Sequence, residues 1–115
     1  MSNIDELTQK IIDFRNARDW QQFHNPKDLA LSLVLESSEV LEHFQWKSPE
    51  EIEKYVIDAR ADIGEELADV LYWVLLMSHD MNIDVAKALE DKINKNESRY
   101  PVAKAKGQHT KYDKL

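Results

Sequence analysis

The segment from Leu29 to Phe44 constrains this chain most, because it is too apolar for a surface helix and too acidic for an ordinary core. At about 100° per residue, Leu29, Leu33, Val40 and Phe44 share one side of a helix. Leu31 and Leu35 lie roughly opposite, with Val34 and Leu41 between. The narrow gap that remains holds Ser32, Glu36, Glu39 and His43. A helix apolar nearly all round is expected to be buried on most sides, and carboxylates are almost never fully buried without a partner. Glu36 and Glu39 must therefore face solvent, a basic partner or a cation.

A second stretch answers the first. Asp58, Asp62, Glu65, Glu66 and Asp69 fall on one side of a helix that continues as Val70-Leu71-Tyr72-Trp73-Val74-Leu75-Leu76-Met77. Its other side carries Ile63, Leu67, Val70, Leu71, Val74 and Leu75. Glu36/Glu39 and Glu66/Asp69 are both i, i+3 pairs, so each pair projects from a single face. Such spacing fits a solvated helix face as well as a metal site, but the first strip is hemmed by leucines and no comparable basic face exists. An all-carboxylate set suits a hard cation, Mg²⁺ or Mn²⁺. A di-iron bundle would need Glu-x-x-His motifs, and the sequence has none.

The whole chain narrows the class. Its 115 residues predict one domain with enough apolar residues, 43%, for a real core. A formal charge of −7 and the lack of a long basic run argue against a nucleic-acid groove. With no cysteine there is no disulfide framework and no thiolate zinc site. The opening Met-Ser-Asn-Ile-Asp-Glu-Leu has neither a basic n-region nor an apolar h-region, so no secretory signal is expected. The longest apolar run, Leu67 to Leu76, is interrupted by Asp69 and too short to span a bilayer. A soluble cytoplasmic protein, with no membrane partner, is the expectation.

Two glycines, three prolines and no strand-like alternation point to an all-α domain. Ile4, Leu7, Ile11 and Phe14 predict a first helix over about residues 3 to 18. A connector with Trp20, Phe23 and His24 leads to Asn25-Pro26, read as a cap with proline at the first helical position. The second helix runs to about Phe44. Ser48-Pro49-Glu50-Glu51 resembles a capping box before a helix over Ile52 to Ile57. The sequence leaves open whether this helix runs unbroken into the acidic one through Ala59-Arg60-Ala61; Gly64 weakens helix by about 1 kcal/mol relative to alanine, which offers a break or bend near it as an alternative. Asp84 caps a last helix with Val85, Leu89, Ile93 and Tyr100 on one side, Lys92 and Asn96 at its border, and Pro101 at its end. Residues 1–101 are read as the folded domain and 102–115 as a mobile tail.

Other residues weigh less on their own. Trp20, Trp46 and Trp73 read first as core, although Trp20 and Trp46 lie at helix margins, where a ring can also form a stacking wall. His24 reads as a surface or capping histidine, His43 as structural, and Lys92 as a surface lysine whose border position suits an anion.

Taken together, Arg18-Asp19-Trp20, Phe23-His24, Glu36-x-x-Glu39, Phe44-Gln45-Trp46-Lys47, Glu65-Glu66-x-x-Asp69 and Arg99-Tyr100-Pro101 closely resemble the MazG-like all-α nucleoside triphosphate pyrophosphatases. Within them the chain is most similar to the dCTP pyrophosphatase subgroup, over roughly residues 15 to 101. The resemblance implies a four-to-five-helix bundle and Mg²⁺-dependent cleavage of a nucleoside triphosphate, dCTP by subgroup, between its α- and β-phosphates. It implies that Glu36, Glu39, Glu66 and Asp69 are metal ligands. It places Trp20, His24 and Trp46 around base and sugar, and Lys92 and Asn96 near phosphates or sugar. Where the subgroup pattern suggests a tyrosine four residues after the last ligand, this chain has Trp73, expected beside the sugar.

In such a site a carboxylate not fully occupied by metal can take the proton of an attacking water. Glu39 is the first candidate and Glu36 the second, with Asp62 and Glu65 in supporting positions. Two other readings stand beside this one: a non-catalytic helical oligomerisation module whose acidic strip binds a cation, and a dUTPase-like hydrolase. The two central helices are apolar on more sides than a short bundle covers, which predicts a homo-oligomer, a dimer or a dimer of dimers.

Overall fold

Helix starts in this chain are specified by side-chain caps, and four of them form in the computed structural model, which describes residues 3–115. Asn3, Asn25, Ser48 and Asp84 each accept a hydrogen bond from the backbone N–H three residues on, at 2.8, 2.9, 3.2 and 3.1 Å. Each cap satisfies one of the donors that a helix leaves unpaired at its start. The helices that follow are α1 (Ile4–Ala17), α2 (Pro26–Glu42), α3 (Pro49–Asp58) and α5 (Val85–Arg99). At Ser48 the capping box is complete, because the Glu51 carboxylate also accepts from the Ser48 N–H. The Ser48 backbone N–H, and after it the Ser48 hydroxyl, hold the Glu51 carboxyl below its ordinary pKa. Met1 and Ser2, the first residues of the expected 1–101 domain, lie outside the described residues.

The helix carrying the second acidic pair, α4 (Arg60–Asp80), has no side-chain cap. It starts directly after Ala59, which closes α3 with φ −105° and ψ 21°. The break therefore falls at Ala59 and not at Gly64, the position suggested by propensity. Gly64 sits inside a continuous helix with open space where a side chain would stand. Its cost of about 1 kcal/mol is absorbed by a helix of 21 residues whose far half is anchored in the core.

All-α architecture is observed, with no strand among the described residues. None of the described helices is long and apolar enough to cross a membrane. The chain divides into two compact units, one ending at Asn82 and one spanning Ile83–Leu115. In the first, α4 is the central element: α2 packs most extensively against it, then α1 and α3. Leu29 of α2 and Leu75 and Leu76 of α4 are its fully buried apolar residues. In the second unit the segment after Pro101 is not featureless. It forms a short helix, α6 (Val102–Ala105), and a turn in which Tyr112 meets Tyr100 edge-to-face, with ring centroids 6.1 Å apart, and takes the Arg99 guanidinium on its face.

The expectation that α2 is buried on most sides does not hold for a single chain. Val34, Leu35 and Leu41 are 64%, 64% and 66% exposed, and Leu31 is also exposed. The wheel read the apolar character correctly, but α4 covers only one face of α2. Between α1 and α4 an apolar groove of 440 Å³ is lined by Leu7, Ile11, Phe14, Leu71, Tyr72 and Leu75 together with Lys10 and Ala68.

Candidate metal centre and its surroundings

Packing α2 against α4 brings their two acidic pairs face to face. One carboxylate oxygen from each of Glu36, Glu39, Glu66 and Asp69 can be chosen so that all four lie within 4.8 Å of one another. Glu36 and Glu66 are half-buried, Glu39 and Asp69 exposed. Oε2 of Glu36 and Oε2 of Glu66 are buried and find no hydrogen-bond partner. A buried oxygen without a donor loses its hydration uncompensated, and here two of them sit beside two further carboxylates.

The electrostatics follow from the crowding. The Glu66 carboxyl is pushed up to about 7, first by sharing a hydrogen bond with Glu39, then by burial and the charges of Glu39, Asp69 and Glu36. Glu36 is raised too, first by burial, then by a hydrogen bond with Glu39 and the charges of Glu39 and Asp69, against a lowering contact with the Trp73 side chain. Like charges brought this close cannot all ionise without help. The donor set is all oxygen, contributed by two rigid helices, with two oxygens in want of a positive partner. That is what a hard divalent cation requires, so the residues present fit one.

Around this cluster the other predicted residues fall into distinct places. His24 lies against Trp73 edge-to-face, with centroids 5.8 Å apart. Trp20 joins the same aromatic series through Phe14 and Tyr72: Phe14 meets Trp20 at 5.7 Å and Tyr72 at 6.5 Å, and Tyr72 meets Trp73 at 5.0 Å. Trp46 stands apart. It is 92% exposed at the turn after α2, and its backbone is left-handed, with φ 68°. A bulky residue in that region is strained, and an exposed tryptophan gains nothing from it in the single chain. Asp62 and Glu65 are exposed on α4. Lys92 and Asn96 are exposed on α5, in the second unit.

His43 does not join the four carboxylates. Its Nδ1 hydrogen-bonds the Tyr55 hydroxyl of α3, and Tyr55 also takes the Lys47 ammonium on its face and the Phe44 ring at its edge. Tyr55 thus clamps the turn that carries Trp46. A cavity of 210 Å³ lined by Glu39, Glu42, His43, Tyr55 and Glu66 opens beside the cluster.

Two polar residues were missed by sequence reasoning. Arg15 is 1% exposed, and its guanidinium makes a two-pronged ion pair with Asp80 at 2.7 and 2.9 Å. The signal was available at one end only: Arg15 continues the Ile4, Ile11 row of α1, an arginine on an apolar stripe. Its partner lies 65 residues away, which no local pattern reveals.

Comparison with known proteins agrees with this architecture. The MazG-like family model matches residues 31–115. The chain is 36% identical over 114 residues to dCTP pyrophosphatase 1 of Rattus norvegicus and 34% identical to that of Homo sapiens, in each case covering 97% of this chain and 67% of the relative. A crystal structure of a pyrophosphatase from Archaeoglobus fulgidus superposes with a TM-score of 0.82 at 35% identity, covering 88% of this chain and 94% of that one.

The raised carboxyls make a pH prediction for the metal-free protein. Glu66 binds its proton more tightly folded than unfolded, so its contribution to stability is complete below the unfolded value of 4.5 and is lost as pH rises through about 7. In EDTA the melting temperature should fall between pH 5 and pH 8, by scanning calorimetry, and Glu66→Gln should flatten that fall. A melting temperature that rises over this range in the wild type contradicts the assignment.

Proposed function

Because the chain belongs to the MazG-like family, we propose that it is a divalent-metal-dependent nucleoside triphosphate pyrophosphohydrolase acting on dCTP. The observation that carries this reading is the convergence of four carboxylates from α2 and α4 on one point, two of them with unpartnered buried oxygens. The names of the rat and human relatives support dCTP as substrate.

Glu36, Glu39, Glu66 and Asp69 would hold the cation, Mg²⁺ by the hardness of the donor set, with Mn²⁺ as its substitute. A cation held there would offset the charge of the triphosphate and lower the pKa of an attacking water. The carboxylates create the need for it, since four acidic groups alone repel a polyanionic substrate. Glu39, the exposed member of the α2 pair, accepts the proton of the attacking water, with Glu36 as the alternative. The water oxygen bonds to phosphorus, the α–β phosphoanhydride bond breaks, and the monophosphate and pyrophosphate leave.

His24, Trp73 and Trp20 form the wall of the nucleotide slot, and the strained, exposed Trp46 closes over the base. Trp46, and the uncovered leucines and valine of α2, acquire a purpose if a second copy covers them, so the protein is taken as a homo-oligomer, a dimer or a dimer of dimers. The charge of −7 disfavours a nucleic-acid partner, and a cytoplasmic enzyme without a membrane partner is proposed with it.

A panel of dCTP, CTP, dUTP and dATP with Mg²⁺, scored for pyrophosphate release, tests the activity and the base together. Release is expected with dCTP preferred, and Glu39→Gln or Asp69→Asn should lower it by about a hundredfold or more, the scale of a lost catalytic group. Equal kcat/KM for all four removes the dCTP assignment, and undiminished turnover in either variant removes the metal site. Sedimentation at micromolar concentration should show an even-order assembly; a monomer contradicts the interface.

A further inference from the structure

The Arg15–Asp80 pair is not explained by stability. Burying the Arg15 charge is expensive, and its partner Asp80 stays partly exposed, with 20% of its side chain accessible. Here the burial is also imperfectly compensated, because Nε of Arg15 is buried with no partner. What the pair does have is a third member. Nη1 of Arg15, the nitrogen that bonds Asp80 at 2.7 Å, also lies 3.4 Å from Nδ1 of His24.

The chemistry of that contact has one direction. A guanidinium is a donor only and stays protonated in proteins, so Nδ1 of His24 must be the acceptor and carries no proton. The ring proton of the neutral imidazole then sits on Nε2, and a doubly protonated ring is opposed by the same guanidinium. Burial and the Arg15 charge both lower the His24 pKa, against a smaller opposing pull from Asp80. Trp73 packs edge-to-face on the ring from α4 and restrains its rotation.

We propose that Arg15, anchored by Asp80, is a positioning residue that holds His24 as its neutral Nε2–H tautomer, a fixed single N–H donor for an acceptor atom of the nucleotide. The tautomer follows from the geometry alone; its use rests on the pyrophosphohydrolase reading above. Without the carboxylate, the guanidinium would have nothing to fix its plane. Without the guanidinium, His24 would exchange between two tautomers and a charged form, each offering a different hydrogen-bond pattern at the same place. A slot that reads donors and acceptors loses discrimination when one of its groups is not fixed.

Long-range ¹H–¹⁵N spectra of the 115-residue chain at pH 8 without nucleotide read the tautomer directly. His24 is expected with a bare Nδ1 and a protonated Nε2; a proton on Nδ1 overturns the proposal. Arg15→Lys keeps the charge but cannot serve Asp80 and His24 in one plane. It should mix the tautomers and raise KM for the preferred triphosphate about tenfold, the worth of one hydrogen bond, with kcat unchanged. Mixed tautomers with an unchanged KM overturn the nucleotide role. Asp80→Asn, which keeps the shape, should act in the same direction more weakly, and the wild-type spectrum stands as a test should Arg15→Lys not fold. Absence of pyrophosphate release from any triphosphate, with the Nε2–H tautomer in place, overturns the use and not the tautomer.

Discussion

Mutual repulsion among Glu36, Glu39, Glu66 and Asp69 is the constraint on which the rest of this structure turns. Two helices that pack through Leu29, Leu75 and Leu76 hold the four carboxylates close enough that Glu66 titrates near neutrality. Hydrophobic burial, at roughly 25 cal/mol per Å² of apolar area, drives the packing; the acidic pairs are carried along because they share the helices' inner edges. Part of the packing energy thus goes into holding like charges together. That coupling explains why the pairs belong to the two most apolar helices: only elements firmly held by their other faces can keep like charges together.

Away from the carboxylates the surroundings are aromatic and, at one point, ionic. Trp73 links the two regions, influencing Glu36 on one side and packing on His24 on the other. Behind His24 stands the Arg15–Asp80 pair, which ties the end of α1 to the last residue of α4. On the opposite flank, Tyr55 gathers His43, Phe44 and Lys47 and so fixes the turn bearing Trp46. Both arrangements put packed support behind residues whose own positions are exposed or half-buried.

Much of this was legible in the residues. The caps at Asn25, Ser48 and Asp84 announced three helices, because a cap is a local interaction whose partners lie three residues apart. The acidic pairs were legible for the same reason, since i, i+3 spacing defines a face. The end of α3 was not: Ala59 has no turn chemistry, while Gly64, which does suggest a break, lies in a helix whose packing overrides propensity. Arg15 gave half a signal as an arginine on an apolar stripe, and Asp80 gave none, because their pairing is tertiary. The wheel of α2 described its apolarity correctly and its burial incorrectly, since a wheel counts apolar sides but not the elements available to cover them.

The central claim is that the four carboxylates are a cation site and not merely an acidic surface. Titration of the protein with Mn²⁺ at pH 8, following loss of the free-ion signal by electron paramagnetic resonance, tests it without nucleotide, assay or structure. Saturable binding that is markedly weakened in Asp69→Asn and in Glu66→Gln is the predicted result. A free-ion signal that grows in proportion to added Mn²⁺ through the millimolar range, in the wild type as in the variants, would contradict it.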